Sequence, residues 1–251
     1  MQWLRRNRHI TDAVVFFVLL GFAWEYGVEA FKIKSYLLPP PSDILREAWT
    51  SRALLGANSW VTLKEVIAGF GLAMIFAVVV AVAIFFVPIL RRTLYPLMVA
   101  LQSIPKVGLA PIVVVWFGYG LSSKILMTFL FAFFPMLIAI LGGLRATPEH
   151  LVEHFQALRA NFWQTLWHLR VPSALPQFID GCKVAMPMAV IGAVVGEFIG
   201  SYEGLGNLVM TASGAANSSL TFAALLAITT LSLLLYFVVE AVGRLVWWQS
   251  R

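Results

Sequence analysis

Long apolar runs alternate with short polar stretches along most of the chain. Runs over residues 11–29, 61–88, 94–118, 123–143, 182–200 and 221–243 each match the length of about 20 residues that crosses a hydrocarbon core. The pattern predicts six membrane-spanning helices. The third run is the least regular. Its "LQSIPKVGLAPIVVVWFG" holds Pro105 and Pro111, and proline inside a helix removes a backbone hydrogen bond and predicts a kink or a break. The basic start runs into the first apolar run without a small-residue cleavage site, so this segment is expected to stay as a span.

Two stretches interrupt the pattern. Between the first two runs lies "LLPPPSDILREAWTSRALLGANSW". Its prolines are stiff and extended, and "PSDILREAW" then starts a helix with Pro and Ser at its N-terminus. Ile44, Leu45 and Ala48 give that helix an apolar face. It is either an amphipathic segment on the outer membrane surface or a plain connecting loop. The second interruption is "TPEHLVEHFQALRANFWQTLWHLRVPSALPQFIDG", residues 147–181. Thr147 is placed to N-cap a helix with Pro148 at its first position. Leu151, Val152, Phe155 and Leu158 share one face of it. Asn161 with Gln164 is a capping pair that predicts a second helix. Val171-Pro172 is expected to end that helix, because the residue before proline avoids the helical region. Phe162, Trp163, Leu166 and Trp167 form an aromatic-rich stripe that needs a partner. Either the chain's own spans or another subunit would supply it.

Composition fixes the class. The chain is 60% hydrophobic and 12% charged, about half the charged fraction of a soluble domain. It is expected to be a polytopic, all-α membrane protein. The net charge of +6 is therefore not a nucleic-acid signal. Six spans put Arg5, Arg6, Arg8, Arg91, Arg92, Arg145, Arg159, Arg170, Lys183, Arg244 and Arg251 on one face. Lys32, Lys34, Arg46, Arg52 and Lys124 fall on the other. The excess of Lys and Arg on the cytoplasmic side of membrane proteins makes the first face cytoplasmic, with both termini. Trp247 and Trp248 suit an interfacial belt. The one cysteine, Cys182, allows no internal disulfide. No G-x-x-x-x-G-K-[ST] is present, so ATP binding by a P-loop is excluded.

The stretch "ALRANFWQTLWHLRVPSALPQFIDG" resembles the cytoplasmic loop of binding-protein-dependent ABC importer permeases. The motif of that loop reads E-A-A, three residues, Gly, then Ile or Val ahead of an L-P. Val171, Leu175 and Pro176 match its later part, and Gly181 follows at the expected distance. "LPPPSDIL", "PKVGLAPIVVVWFGYGLSSK", "FFPMLIAILGGLR" and "VVGEFIGSYEGLGNLVMTASG" are similar to permeases of the nitrate, sulfonate and taurine type. That branch includes importers of pyrimidine thiamine precursors and of riboflavin. The resemblance covers about residues 35–245.

The resemblance implies a type I ABC importer permease fold in a bacterial inner membrane, with no cofactor of its own. It implies a homodimer served by two cytoplasmic ABC ATPase subunits and an extracytoplasmic substrate-binding protein. On this reading residues 1–30 hold the first span, 31–60 an extracytoplasmic segment and 61–246 the permease core with its coupling loop at 147–181. Glu153, Arg159, Ala160, Asn161, Phe162, Trp163 and Leu166 belong to the ATPase-coupling part. The solute is small: nitrate, a sulfonate, taurine, or a pyrimidine or aromatic compound.

The loop departs from the motif. E-A-A falls on Glu153, His154 and Phe155, and the glycine falls on Arg159. Either the bend shifts to Ala160-Asn161 or the loop is built differently. Arg159 is then either solvated or set against an acidic patch on a partner.

Several residues suit a pathway. Gly192, Gly196 and Gly200, preceded by Gly181, Ala185 and Ala189, form a small-residue stripe. It serves either internal packing or the meeting of two copies. Glu197 beside it is expected to face protein or water. "GSYEGLGNLVMTASGAANSSL" is expected to fold back over the outer end. Gln102, Ser103 and Lys106 lie just inside the third span. Lys106 either lines a cavity that admits anions or extends toward the headgroups. Met186, Met188 and Met210 are candidates for an adaptable lining.

Two other classes compete. A secondary transporter or channel would carry repeats or charged residues in matching halves. An intramembrane metalloprotease would use "HLVEH", His150, Glu153 and His154, and would need a third ligand and a cavity.

Overall fold

The apolar runs fold as helices, and no strand forms among the described residues. The computed structural model describes residues 2–246, apart from the side chains of residues 2–11, 13, 14, 95, 99 and 246. The interfacial tryptophans expected at 247 and 248 and Arg251 lie outside the described residues, as do the side chains of Arg5, Arg6 and Arg8. In chain order the helices are α1 (Gln2–Ala30), α2 (Pro41–Thr50), α3 (Arg52–Phe86), α4 (Pro88–Gln102), α5 (Ala110–Phe117), α6 (Leu121–Arg145), α7 (Glu149–Ala157), α8 (Phe162–Thr165), α9 (Val171–Gly200), α10 (Leu205–Gly214) and α11 (Ser218–Val246).

Among the described residues, four helical stretches are long and apolar enough to cross a membrane. They are Arg52–Phe86, Leu121–Arg145, Phe162–Gly200 and Ser218–Leu245. The pair Pro88–Gln102 and Lys106–Phe117, bent by 91°, makes a fifth if taken as one broken span. The expected six is not reached by this count. The break itself falls where the prolines predicted it. Pro105 has no N–H to continue α4, and Pro111 stands in the first turn of α5, where a missing N–H costs nothing.

The core is α6 held between α3 and α9. Ala73, Ala77 and Ala81 of α3 and Ala185, Ala189 and Ala193 of α9 are fully buried. They repeat every four residues and pack with Met136, Leu137 and Ile140 of α6. Small residues at this spacing let backbones approach closely, which matters in a bilayer because lipid tails are as apolar as leucine. Gly192 shows how close. A Cβ there would stand 2.8 Å from the Met127 carbonyl and 2.9 Å from the Thr128 Cα. The small-residue stripe of α9 is therefore an internal packing surface.

Two expectations are corrected. The helix that begins at Phe162 does not end at Val171-Pro172. A π-turn over Leu166–Arg170 joins α8 to α9, and Val171 is helical at φ −63° and ψ −50°. Tertiary packing of Leu166 and Leu169, both buried, overrides the local preference of the residue before proline. The amphipathic α2 is a helix as predicted, yet Ile44 is buried with Leu205, Leu208, Ala223 and Ala224 of the bundle. Leu45 points outward at 62% exposure. Glu25 of α1 caps α2 from outside, accepting from the Ser42 N–H at 3.0 Å and its hydroxyl at 2.5 Å.

Candidate functional site

At one end of the bundle, α7 and α8 stand clear of the core. The N-cap of α7 is Pro148, one residue later than expected, because the Thr147 hydroxyl instead donates to the Leu144 carbonyl at 3.4 Å. The chain then turns at Arg159 itself. Its φ is +54°, so the bend does not move to Ala160-Asn161. The Ala160 N–H donates to the Phe155 carbonyl at 3.0 Å and the Arg159 N–H to the Gln156 carbonyl at 2.9 Å. These two bonds form a Schellman motif, whose left-handed residue is usually glycine. Arg159 carries the strain that glycine would avoid.

The capping pair expected next is formed. Asn161 and Gln164 exchange backbone-to-side-chain bonds, both 2.8 Å. They set α8 as a rigid short turn. The Phe162 ring meets Phe86 of α3 edge-on at 4.7 Å between centroids. The Arg170 guanidinium lies 4.9 Å from the Phe85 ring centroid. Between α3, α7 and α8 a cleft of about 450 Å³ opens over Val152, Gln156 and Ala160. Leu166 turns inward and is buried, while Trp163 and Trp167 remain 64% and 61% exposed. The chain's own spans thus cover only part of the stripe. Glu153, His150 and His154 are exposed on α7.

The opposite end holds a buried polar cluster. Glu197 is fully buried and accepts from the Thr62 hydroxyl at 2.6 Å and the Gly206 N–H at 2.5 Å. The Leu205 N–H donates to Thr62 Oγ1 at 3.0 Å, and the Gly204 N–H to Asn58 Oδ1 at 2.7 Å. The leading N–H groups of α10 have no partners inside their own helix. Here α3 and α9 supply them, with a carboxylate at the positive end of the helix dipole. Gly204, at φ +106°, is required twice over, since a Cβ there would collide with the Glu197 carboxylate. Beside this cap, buried Lys124 of α6 pairs with buried Glu65 of α3 at 2.5 Å and donates to Ser201 Oγ at 2.9 Å. α10 is folded back over this end of the bundle, as expected.

Between the two ends, Lys106 sits in the 3-10 turn that joins α4 to α5. Its ammonium lies 5.8 and 5.5 Å from the ring centroids of Phe131 and Phe134, halfway along α6. It does not extend toward a helix end. Ser103 is exposed and Gln102 half-buried beside it.

These features are those of a helical membrane component with an exposed aromatic turn at one end. A model described as "Binding-protein-dependent transport system inner membrane component" matches residues 46–247. The chain belongs to this family. It is 36% identical over 230 residues to a probable ABC transporter permease protein of Haemophilus influenzae, covering 91% of this chain and 94% of that one. It is 37% identical over 204 residues to the formylaminopyrimidine transport permease protein ThiX of Halalkalibacterium halodurans, covering 81% of each. Its fold is similar to that of the inward-facing MetNI methionine ABC transporter, with a TM-score of 0.70 at 21% identity over 80% of this chain and 99% of that chain.

The protein is the permease component of an ABC importer. The permease places its motif residues at the root of α9. Val171, Leu175 and Pro176 are half-buried there, and Gly181 is pressed against Ala139 of α6. Met186, Gly192 and Gly196 are buried inside the single permease chain. The face of α9 left open carries Val184, Ile191 and the candidate lining residue Met188. Asn58, Thr62 and Glu65 were not singled out from the sequence, and Lys124 was read only as a topology marker. Charges at 65 and 124 within apolar runs were the available signal.

Proposed function

We propose that two copies of this permease enclose a pathway for a small solute handed over by an extracytoplasmic binding protein. A separate cytoplasmic ATPase drives it and carries all ATP hydrolysis. The α7–α8 end faces the cytoplasm with both termini, and the α10 end faces the binding protein. The open face of α9, with Gln102, Ser103 and Lys106, lines the pathway.

One observation carries this reading. α8 is a capped, rigid turn that presents Trp163 and Trp167 to solvent at the end of a helical stretch running from Phe162 to Gly200. An exposed aromatic turn of this kind fits a groove on a partner, where aromatic anchors dominate binding. The same stretch is roughly 55–60 Å long and ends beside Glu197, which caps α10. A push on α8 by the closing ATPase is thereby delivered to α10. Coupling is mechanical, as a rigid element shared by both ends. The placement of Arg145, Arg159 and Arg170 at the α8 end supports its cytoplasmic side.

The test is a photo-crosslinking residue at Trp163, introduced in cells that make the whole transporter. Crosslinks to the ATPase are expected, and they should change in yield between nucleotide-free and ATP-trapped states. Crosslinks to lipid or to the permease alone would refute the assignment.

A further inference from the structure

At the α8 end the bundle leaves a cleft of about 450 Å³ that its own side chains do not fill. Three spanning stretches end on this side: α3 at Phe86, α6 at Arg145, and the Phe162–Gly200 stretch at its first residue. The cleft therefore lies at a membrane boundary, where hydrocarbon gives way to headgroups. Its walls follow the same division. Phe85, Phe86, Phe162 and Leu166 form an apolar side. Gln156, Thr165 and Arg170 form a polar side, and no carboxylate among the described residues lines it.

Arg170 is the group left without a match. It is half-buried, and its guanidinium lies over the Phe85 ring, 4.9 Å from the centroid. Among the described residues no carboxylate pairs with it, and none of its N–H groups has a hydrogen-bond acceptor. A ring face steadies a cation, but it leaves the five N–H donors of the planar fork unused. Such a fork fits a phosphate, which accepts two parallel N–H bonds. Arg91 and Arg92, exposed near the start of α4, give the same boundary a positive field. Basic pockets between spanning helices at such a boundary suit anionic lipid headgroups. The two faces of α8 are also kept apart. Phe162, Thr165 and Leu166 turn to the cleft, whereas exposed Trp163 and Trp167 do not line it. A protein partner seated on the tryptophans is on the other face.

We propose that this cleft binds one anionic phospholipid, with its phosphate on Arg170 and the upper part of its chains against Phe85, Phe86 and Phe162. The volume is that of a small-molecule site, enough for a headgroup and the first carbons of the chains. The lipid touches α3, α7 and α8 at once, so it braces the α7–α8 turn against the bundle. Only the placement of the α8 end at a membrane surface is needed, not the direction of transport or the identity of the solute.

The test uses photoactivatable phosphatidylglycerol and phosphatidylcholine, each with a diazirine near the ester end of one chain. The complete transporter is reconstituted in phosphatidylcholine vesicles carrying one probe or the other at equal level, and crosslinked peptides are mapped. Phosphatidylglycerol is expected to label peptides within residues 85–92 and 152–170 well above phosphatidylcholine. In Arg170→Gln that labelling should fall about tenfold. Labelling of the exposed Leu233, Leu234 and Phe237 of α11 should not change, which verifies that the variant is inserted. Arg170→Lys, which keeps the charge but not the fork, should lose less. Equal labelling by both probes overturns the site, and so does no labelling of these peptides, as when the ATPase fills the cleft. Unchanged labelling in Arg170→Gln overturns the role given to the guanidinium. Displacement of the probe by water-soluble glycerol phosphate shows a site for free phosphate esters and contradicts a lipid one. The Trp163 crosslink judges ATPase coupling independently of each result.

Discussion

Replacing Arg159 by glycine should tighten the loop that joins α7 to α8. The Arg159 backbone is left-handed at φ +54°, where a residue with a Cβ is disfavoured by roughly 1–2 kcal/mol. Glycine removes that penalty, although its greater freedom in the unfolded chain takes back roughly 0.5–1 kcal/mol. The net gain is up to about 1 kcal/mol, or roughly fivefold in a local opening equilibrium. The reporter is the Ala160 N–H, which closes the motif onto the Phe155 carbonyl. Hydrogen exchange of a peptide covering this amide, measured on the purified permease, should slow by about two- to fivefold in Arg159→Gly. Arg159→Ala removes the charge and keeps the Cβ, so it should not slow exchange. If Arg159→Gly exchanges as fast as the parent or faster, the left-handed strain assigned to this position is wrong. Equal slowing in Arg159→Ala would trace the effect to the guanidinium instead.

Lys124→Met leaves Glu65 buried without its cation and should cost about 3–5 kcal/mol, read as a lower unfolding temperature. Adding Glu65→Gln should recover part of it, and strict additivity of the two changes would deny the pairing. Gly192→Leu drives a side chain into the Met127–Thr128 backbone of α6 and should cost at least about 1–3 kcal/mol. A variant of normal thermal stability would show that α9 does not pack there. Thr62→Val keeps shape but strips the hydroxyl shared by Glu197 and the Leu205 N–H, at about 1–3 kcal/mol. Its signature should be faster proteolysis at residues 201–215, and unchanged cutting would mean that the cap does not hold α10.

Four of the expected spans were legible because their apolar runs are as long as the bilayer is thick, and Pro105 marked the break in the bent pair. The capping box at Asn161 and Gln164 was legible because both partners are local. Local rules failed where distant packing decides. Pro172 reads as a helix end, but burial of Leu166 and Leu169 carries the helix through a π-turn. The glycine stripe of α9 was visible, yet its partner was not, because α6 offers no matching small-residue row. Gly69, Ala73, Ala77 and Ala81 repeat every four residues and went unread among many valines. The polar cluster joins residues 58, 62, 65, 124, 197 and 204–206 from four segments. Only Glu197 among them stood out alone, because a partnered charge looks isolated until its partner is brought near by folding.

The central claim is that α8 transmits the work of a separate ATPase. It is tested most directly by Trp163→Ala in cells producing the whole transporter, with ATPase co-purification, solute uptake and permease level measured together. Trp163 is 64% exposed and supports no core of its own, so the permease should remain in the membrane at its usual level. Loss of an aromatic anchor worth about 2 kcal/mol should weaken ATPase binding by roughly 30-fold and abolish uptake. Full ATPase binding with normal uptake in Trp163→Ala would contradict the claim.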